Sequence, residues 1–243
     1  MTPDTSRWAD DDAYAYWDDL TLDGLAWEFL RRNGEYQCDF QSGQLDAASW
    51  GLRLPIDPAI SAGEQSVFWA PALSPNDILL SAVPVPTRAT PIFVEPFADR
   101  DPAGSFGKIG DGLSELHLSF LSTTPTNGPL CVIIPLDTDL PDRLNALERL
   151  WRLLHNHAAP DPHLSEQKRR RLRLMARALD GRAAGASQKE IARCLFGHGR
   201  VSDDAWKTSS LRYMTQRLLR DGQDIIGGGY RELLHHPQAE IGE

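Results

Sequence analysis

The sequence predicts an α+β protein, in which a small, mostly antiparallel sheet with flanking helices is followed by a three-helix, helix-turn-helix-like region. Three observations lead to this prediction. Apolar residues recur at helical spacing near both ends of the chain, short apolar runs broken by Pro and Gly fill the middle, and the charge changes sign between the two halves. The predicted domains are residues 1–49 (acidic and helical), 50–157 (α+β) and 164–236 (three helices, helix-turn-helix-like).

The N-terminal domain contains one clear helical pattern, TLDGLAWEFLRRNGEY. Thr21 is a candidate N-cap, Asp23 suits the first turn, and Asn33-Gly34 is expected to end the helix. The large aromatic residues of this domain are expected to pack in a core. The apolar face and these aromatic residues comprise Leu22, Leu25, Ala26, Phe29, Leu30, Trp17, Trp27 and Tyr36.

The middle domain is predicted from six short apolar runs, which are typical of strands separated by turns. The runs are LRLPI, SVFWAP, DILLSAV, TPIFVEPF, LHLSFLS and LCVIIPL. The Gly-rich stretch ADRDPAGSFGKIGDG (98–112) is expected to be a loop, and no strand-to-helix glycine fingerprint indicates a nucleotide site. A helix over 141–157 is expected to close the domain, and AAPDPHLS is the candidate linker.

The charge distribution is the strongest indication of a partner. The chain has a formal net charge of -9, and residues 1–140 hold 7 Lys/Arg against 21 Asp/Glu. By contrast, residues 168–231 hold 15 basic residues against 6 acidic ones. Such asymmetry favours contact with nucleic acid or another polyanion, although a solvated basic face that binds nothing explains the charge alone equally well.

The C-terminal domain is predicted to contain three helices. Ser165 can cap the first, and SQKE, with Ser187 and Glu190, is a capping box for the second. The third is expected to begin at Ser202, with a buried stripe of Leu211, Met214, Leu218 and Ile225. A short second helix that supports a polar third helix is the arrangement by which a helix-turn-helix reads the major groove.

Candidate DNA contacts follow from this geometry, because Arg and Gln hydrogen-bond to bases while Lys, Arg and free backbone N–H groups hold phosphates. GGGYR (227–231) is expected to form a tight turn or small wing near a phosphate. The predicted contacts are Arg170, Arg173, Arg177, Ser187, Gln188, Lys189, Lys207, Ser209, Arg212, Tyr213, Gln216, Arg217, Arg220, Tyr230 and Arg231.

The two ends of the chain resemble a family of proteobacterial regulators found on integrative and conjugative elements, the FseA/QseM-like regulators. DDLTLDGLAWEFLRRNGEY is similar to their N-terminal domain, and QKEIARCLFG, DDAW and LRYMTQRLLRDGQDIIGGGYRELL are similar to their C-terminal domain. The resemblance implies a helix-turn-helix regulator. FseA-type proteins, which carry both domains in one chain as here, activate element excision, whereas QseM-type proteins are antiactivators that bind other regulators.

Other functions are disfavoured by the sequence. His155, His157 and His163 lie at a helix end and in a Pro-rich linker without supporting ligands, so neither metal nor cofactor is expected. Tyr230 lacks the basic constellation of a recombinase nucleophile, and we expect no enzymatic activity. Three irregularly spaced cysteines, a polar N-terminus and short apolar runs favour a cytoplasmic protein without membrane contact.

The expected partners are duplex promoter DNA and a protein, either another regulator or RNA polymerase. A homodimer is possible, and a protein-binding antiactivator that does not read DNA is the alternative.

Overall fold

A computed structural model describes residues 2–84, 99–101, 104–121, 129–201 and 206–235. The chain divides into two compact units. Unit 1 comprises residues 1–46, 55–67 and 164–230, and unit 2 comprises residues 47–54, 68–163 and 231–243. This division differs from the three domains expected from the sequence, because the N-terminal and C-terminal helices belong to the same unit. Composition could not reveal this arrangement, since the two helical segments are separated by more than 100 residues.

Unit 1 is helical. A 3-10 helix, Asp12–Asp19, precedes α1 (Leu22–Leu30) and α2 (Gly34–Ser42). Thr21 caps α1 as predicted, accepting a hydrogen bond from the Gly24 amide. Asn33-Gly34 was expected to end this helix, but α1 already ends at Leu30. Asn33 instead caps α2, because its side chain accepts hydrogen bonds from the amides of Glu35 and Tyr36. The predicted aromatic core is confirmed, since Trp17, Trp27 and Tyr36 are fully buried.

The remaining helices of unit 1 follow the middle of the chain. They are α4 (Glu166–Ala183), α5 (Gln188–Phe196) and α6 (Ser210–Asp224). A π-type turn, Ile225–Gly229, leads from α6 into the short helix α7 (Tyr230–Leu233). Side-chain caps begin α4 at Ser165 and α5 at Ser187, where Glu190 completes the predicted capping box.

The described residues of unit 2 form a five-stranded mixed sheet. With β1 at Ile78–Ala82, β2 at Asp99–Asp101, β3 at Gly104–Ile109, β4 at Leu116–Leu121 and β5 at Leu130–Ile133, the strand order is β2-β3-β4-β1-β5. Three of the four strand pairings are antiparallel, and β1 pairs with β4 in parallel. The sheet is therefore mostly antiparallel, as predicted.

Two strand predictions need correction. The Gly-rich stretch 98–112 was expected to be a loop but contains β2 and β3, which pair antiparallel. β3 also pairs along its length with β4 and buries Phe106 completely, so the apolar residues of this stretch override its loop-like composition. LRLPI and SVFWAP contribute only an isolated bridge between Leu52 and Trp69. The run TPIFVEPF lies entirely outside the described residues.

Helix α3, Leu140–Leu154, covers one face of this sheet. It begins and ends close to the predicted helix over 141–157. Ala146 and Leu150 of α3 pack in a buried cluster with residues of β1 and β4. The strand residues of this cluster are Ile78, Leu80, Leu116, Leu118 and Phe120. Two large apolar residues of α3, Leu144 and Trp151, are exposed.

Glu115 anchors a group of charged side chains beside β4. Its carboxylate accepts hydrogen bonds from Lys108 Nζ at 2.5 Å and lies 3.3 Å from His117 Nε2. Its backbone carbonyl accepts from Arg149 of α3 at 3.1 Å. Burial alone would raise the pKa of Glu115, but the hydrogen bonds and positive charge of His117 and Lys108 outweigh it and lower the pKa to about 2.

We expect Glu115→Gln to lower the free energy of unfolding by about 1–3 kcal/mol, because it leaves charged partners without their acceptor. The pKa of Glu115 in the folded protein lies below its ordinary value of 4.5. The carboxylate therefore stabilises the fold above about pH 4.5, and this contribution is lost as the pH falls towards 2. Urea unfolding between pH 6 and pH 2 measures the effect, with the exposed Glu148→Gln as control. An equal pH dependence in wild type and Glu115→Gln would contradict it.

Within the described parts of the chain, every helix is too short or too polar for a membrane-spanning segment. The same residues bring together no three His, Cys, Asp or Glu side chains that could hold a metal ion.

Candidate nucleic-acid interface

Helices α4, α5 and α6 pack against one another and fix the position of α6. Helix α4 packs tightly against α6 at Gly222, where an added Cβ would be 2.8 Å from Leu179 Cδ1 and 3.3 Å from Met175 Cβ. Ala192 of α5 packs in a small core with Val201 and Leu211. The first two helices of the three therefore form a support for the third.

Helix α6 presents one face to this support and the other to solvent. Its buried residues are Leu211, Thr215, Leu218, Leu219 and Gly222. Met214, which was predicted to be buried, is exposed, and Thr215 takes the buried position instead. Thr215 is accommodated because its hydroxyl donates a 2.8 Å hydrogen bond to the Leu211 carbonyl. The helix also begins later than expected, at Ser210; residues 202–205 lie outside the described part of the chain.

A cleft of about 670 Å³ lies along the outer face of α6. We call it the α6 groove. It brings together five of the predicted DNA contacts, and three residues that were not predicted, Arg182, Gln223 and Asp224, also line it. The predicted residues in the groove are Gln188, Tyr213, Gln216, Arg217 and Arg220, and Leu219 completes the lining.

The chemistry of the α6 groove suits a polyanion with hydrogen-bonding edges. Arg217 and Arg220 are 66% and 68% exposed, so their guanidinium groups face solvent. Gln188, Gln216 and Gln223 supply both donors and acceptors, and Tyr213 supplies an exposed ring. Arg and Gln are the side chains that most often read guanine and adenine. The three arginines of the groove outnumber its single carboxylate, Asp224.

Five further predicted contacts lie near the ends of α5 and α6. Ser187 and Ser209 are N-caps whose side-chain oxygens accept backbone hydrogen bonds, so these hydroxyls already have partners. Arg212 donates to the Lys207 carbonyl at 2.8 Å. Lys207 is exposed and Lys189 is half-buried. A role of these five residues in DNA binding stays a prediction.

The predicted basic face of α4 is largely used inside the protein. Arg177 is only 5% exposed, and it pairs with Asp11 and donates to the carbonyls of Trp8 and Ala9. Arg173 bridges Asp11 and Asp18 at 2.9 and 3.0 Å. Arg170 is exposed. The assignment of Arg177 to DNA is therefore corrected, and Arg173 is held by N-terminal carboxylates rather than free for phosphate.

The expected turn or wing at GGGYR is also corrected. The glycines continue the helix through the π-type turn, with only Gly228 in a non-helical conformation at φ 139°. Tyr230 is 1% exposed and belongs to the core, so it cannot reach a phosphate in this structure. Arg231 is partly exposed and donates to the Ser49 carbonyl at 3.0 Å.

The sequence contained a signal for one of the residues that were missed. Gln223 follows Gln216 by seven positions and Arg220 by three, so helical spacing places it on the same face. Arg182 had no such signal, because it lies in α4 and reaches the groove only through the packing of α4 against α6.

Comparison with known families gives two matches. Residues 133–235 match a family model described as "T6SS, Transcription factor, DNA binding domain". Residues 7–55 match one described as "Proteobacterial transcriptional regulator-like domain". Each match covers less than half of the chain, and no curated protein matches it significantly. The first match contains α4, α5, α6 and the whole α6 groove. Together, the two similarities support a transcriptional regulator that carries a DNA-binding domain in its C-terminal part.

Proposed function

We propose that this protein binds duplex DNA through the α6 groove and regulates transcription from the promoter it binds. The observation that carries the proposal is the exposed row of Arg, Gln and Tyr side chains on a helix supported by two others, inside the segment that matches a DNA-binding domain. In this binding mode α6 enters the major groove. Arg217, Arg220 and Gln216 contact base edges or phosphates, and Arg182 and Lys207 hold the DNA backbone.

The target of regulation is a further proposal. The resemblance of both ends of the chain to FseA/QseM-like regulators supports control of excision or transfer of an integrative and conjugative element. The two-domain organisation favours an activator. The description of the matched DNA-binding family names T6SS instead, so genes of that kind are the competing target. Sequencing of genomic fragments bound by the protein distinguishes the two, because each predicts enrichment of a different set of promoters.

We expect the double variant Arg217→Ala/Arg220→Ala to lose about 100-fold in affinity for duplex DNA at 0.1 M salt. Each phosphate contact contributes about 0.9 to the slope of log affinity against log salt, so the slope should fall by about 1.8. Fluorescence anisotropy at several salt concentrations, with the full-length protein, measures both quantities. The control is Arg7→Ala/Arg152→Ala, which removes two exposed arginines outside the α6 groove.

Equal affinity of the two double variants would show that α6 is not the DNA-binding helix. Failure of the wild type to bind any duplex at low salt would favour the alternative, a protein-binding antiactivator. Tyr14 and Trp17 of the acidic N-terminal segment are buried in the core of unit 1, so these two aromatic side chains are not available to a protein partner. A homodimer and a protein partner stay predictions from the sequence.

A further inference from the structure

Asp221 lies beside the α6 groove at the centre of three arginines. Its carboxylate accepts from Arg220 at 2.9 Å, from Arg171 of α4 at 2.5 Å, and lies 3.4 Å from Arg217 Nε. Arg217 and Arg220 are the two arginines that α6 contributes to the groove, and both are exposed. One carboxylate thus holds three guanidinium groups, two of which are proposed to contact DNA.

This carboxylate is charged under ordinary conditions. Burial alone would raise the pKa of Asp221, but the hydrogen bond from Arg220 and the positive charges of Arg220, Arg171 and Arg217 outweigh it and lower the pKa. At neutral pH the cluster therefore carries three positive charges and one negative charge. The arginines would repel one another without the carboxylate.

We infer that Asp221 is a positioning residue that restrains Arg217 and Arg220 for base readout and reduces their binding to DNA of unrelated sequence. The inference rests on the proposed function of the α6 groove. It follows from geometry, since an exposed arginine without a partner adopts many rotamers and reaches any nearby phosphate. An arginine held by a carboxylate keeps a defined orientation, which hydrogen bonding to a base edge requires.

The restraint affects two measurable quantities in opposite directions. Neutralising Asp221 removes one negative charge near the DNA, which strengthens phosphate contacts with any sequence. It also frees the two arginines, which weakens the preference for the correct sequence. Discrimination between a specific and an unrelated duplex should therefore fall, because affinity for the unrelated duplex rises while affinity for the specific duplex changes little.

The experiment uses full-length protein and two duplexes. One is obtained by selection from a random library with the wild type, and the other is a scrambled duplex of the same base composition. For Asp221→Asn we expect affinity for the scrambled duplex to rise about tenfold at 0.1 M salt, as for one additional phosphate contact. We expect the ratio of the two affinities to fall about tenfold, as for loss of one bidentate base contact. Anisotropy titrations give both values.

Three variants separate positioning from charge and from structure. Asp224→Asn removes one negative charge from the groove itself, but no ion pair of the Asp224 side chain occurs among the described residues; this variant should leave the affinity ratio at the wild-type value. Arg171→Gln breaks the contact with α4 while Asp221 still holds Arg217 and Arg220, and should also preserve the ratio. Asp221→Glu keeps the charge and should restore most of the discrimination.

Each outcome decides the inference. Equal ratios for Asp221→Asn and Asp224→Asn would overturn it, since Asp221 would then act only through its charge. Asp221→Ser must reproduce the Asp221→Asn result, which guards against a defect peculiar to Asn; circular dichroism checks that each variant is folded. A wild type that binds DNA without any preferred sequence overturns the inference and leaves the proposed function intact. A wild type that binds no duplex overturns both.

Discussion

Replacing Asp180 with Asn is expected to lower the free energy of unfolding of the protein by about 3–5 kcal/mol, the usual cost of removing one partner from a buried ion pair. Asp180 is 2% exposed. Its carboxylate accepts two hydrogen bonds from Arg32, at 2.7 and 2.9 Å, and one from the Tyr14 hydroxyl at 2.6 Å. An amide can accept only part of this set and removes the negative charge that balances Arg32.

The expected loss of stability is large because Arg32 belongs to a buried network in which positive and negative charges are equal in number. Glu28 is fully buried and accepts from Arg31 at 2.8 Å and from Arg32 at 2.9 Å. Two arginines thus balance two carboxylates, Glu28 and Asp180. Burial lowers the pKa of Arg32, but the charge and hydrogen bonds of Asp180, together with the charge of Glu28, outweigh it and raise the pKa well above its ordinary value. The variant therefore leaves a protonated guanidinium in the core with one acceptor too few.

Urea unfolding followed by circular dichroism measures the effect of Asp180→Asn. The matched control is Asp224→Asn, an identical substitution at an exposed position of α6. A stability of Asp180→Asn equal to that of the control would show that the buried network contributes nothing. The double variant Arg32→Met/Asp180→Leu should recover much of the loss, since it replaces the ion pair with apolar side chains of similar size.

A fragment of residues 164–230 is expected not to fold stably, although it contains all three helices of the predicted DNA-binding domain. Without residues 1–46, Asp180 loses Arg32 and Tyr14, and Arg177 loses the carboxylate of Asp11 and two carbonyl acceptors. The Ile226 carbonyl also loses its 2.9 Å hydrogen bond from Asn33. Gly181 also loses its contact with the Trp8 ring, which packs so closely that a Cβ added at Gly181 would lie 2.8 Å from it. Several buried polar groups would be left unpaired, each at a cost of about 1–3 kcal/mol.

Circular dichroism and urea titration of the fragment give the measurement, with the full-length chain as reference. Adding a second fragment of residues 1–67 provides the control, because it supplies the missing partners without covalent linkage. We expect helical signal and a cooperative transition only in the mixture. A cooperative transition of the 164–230 fragment alone would contradict the expectation and would restore the independent domain that the sequence indicated.

Local signals in the sequence predicted local structure well. Thr21, Ser165 and Ser187 are N-caps, as their residue types and positions indicated. Capping depends on three or four neighbouring residues, so it can be inferred without tertiary information. The α+β class and the mostly antiparallel sheet followed in the same way from alternating and helical periodicity.

Errors arose wherever a distant segment determined the outcome. Helical spacing places Arg170, Arg173 and Arg177 on one face of α4, but it could not show that Asp11 and Asp18 cover part of that face from more than 150 positions away. Likewise, Thr215 is buried and Met214 is exposed, because the packing of α4 and α5 against α6 determines which side of α6 is buried. For the α6 groove, the spacing of Tyr213, Gln216, Arg217 and Arg220 was sufficient, and Arg182 required the packing of two helices.

The pairing of Arg32 with Asp180 has a consequence for hybrid regulators. The two residues lie in the two segments that match separate families, residues 7–55 and 133–235, so these segments are not interchangeable modules. A chimaera that joins the N-terminal segment of this protein to the DNA-reading helices of a relative needs an acidic residue at the position of Asp180. Without it, the transplanted helices would be joined to a core that carries an unbalanced arginine, and a new binding specificity would come at the expense of stability.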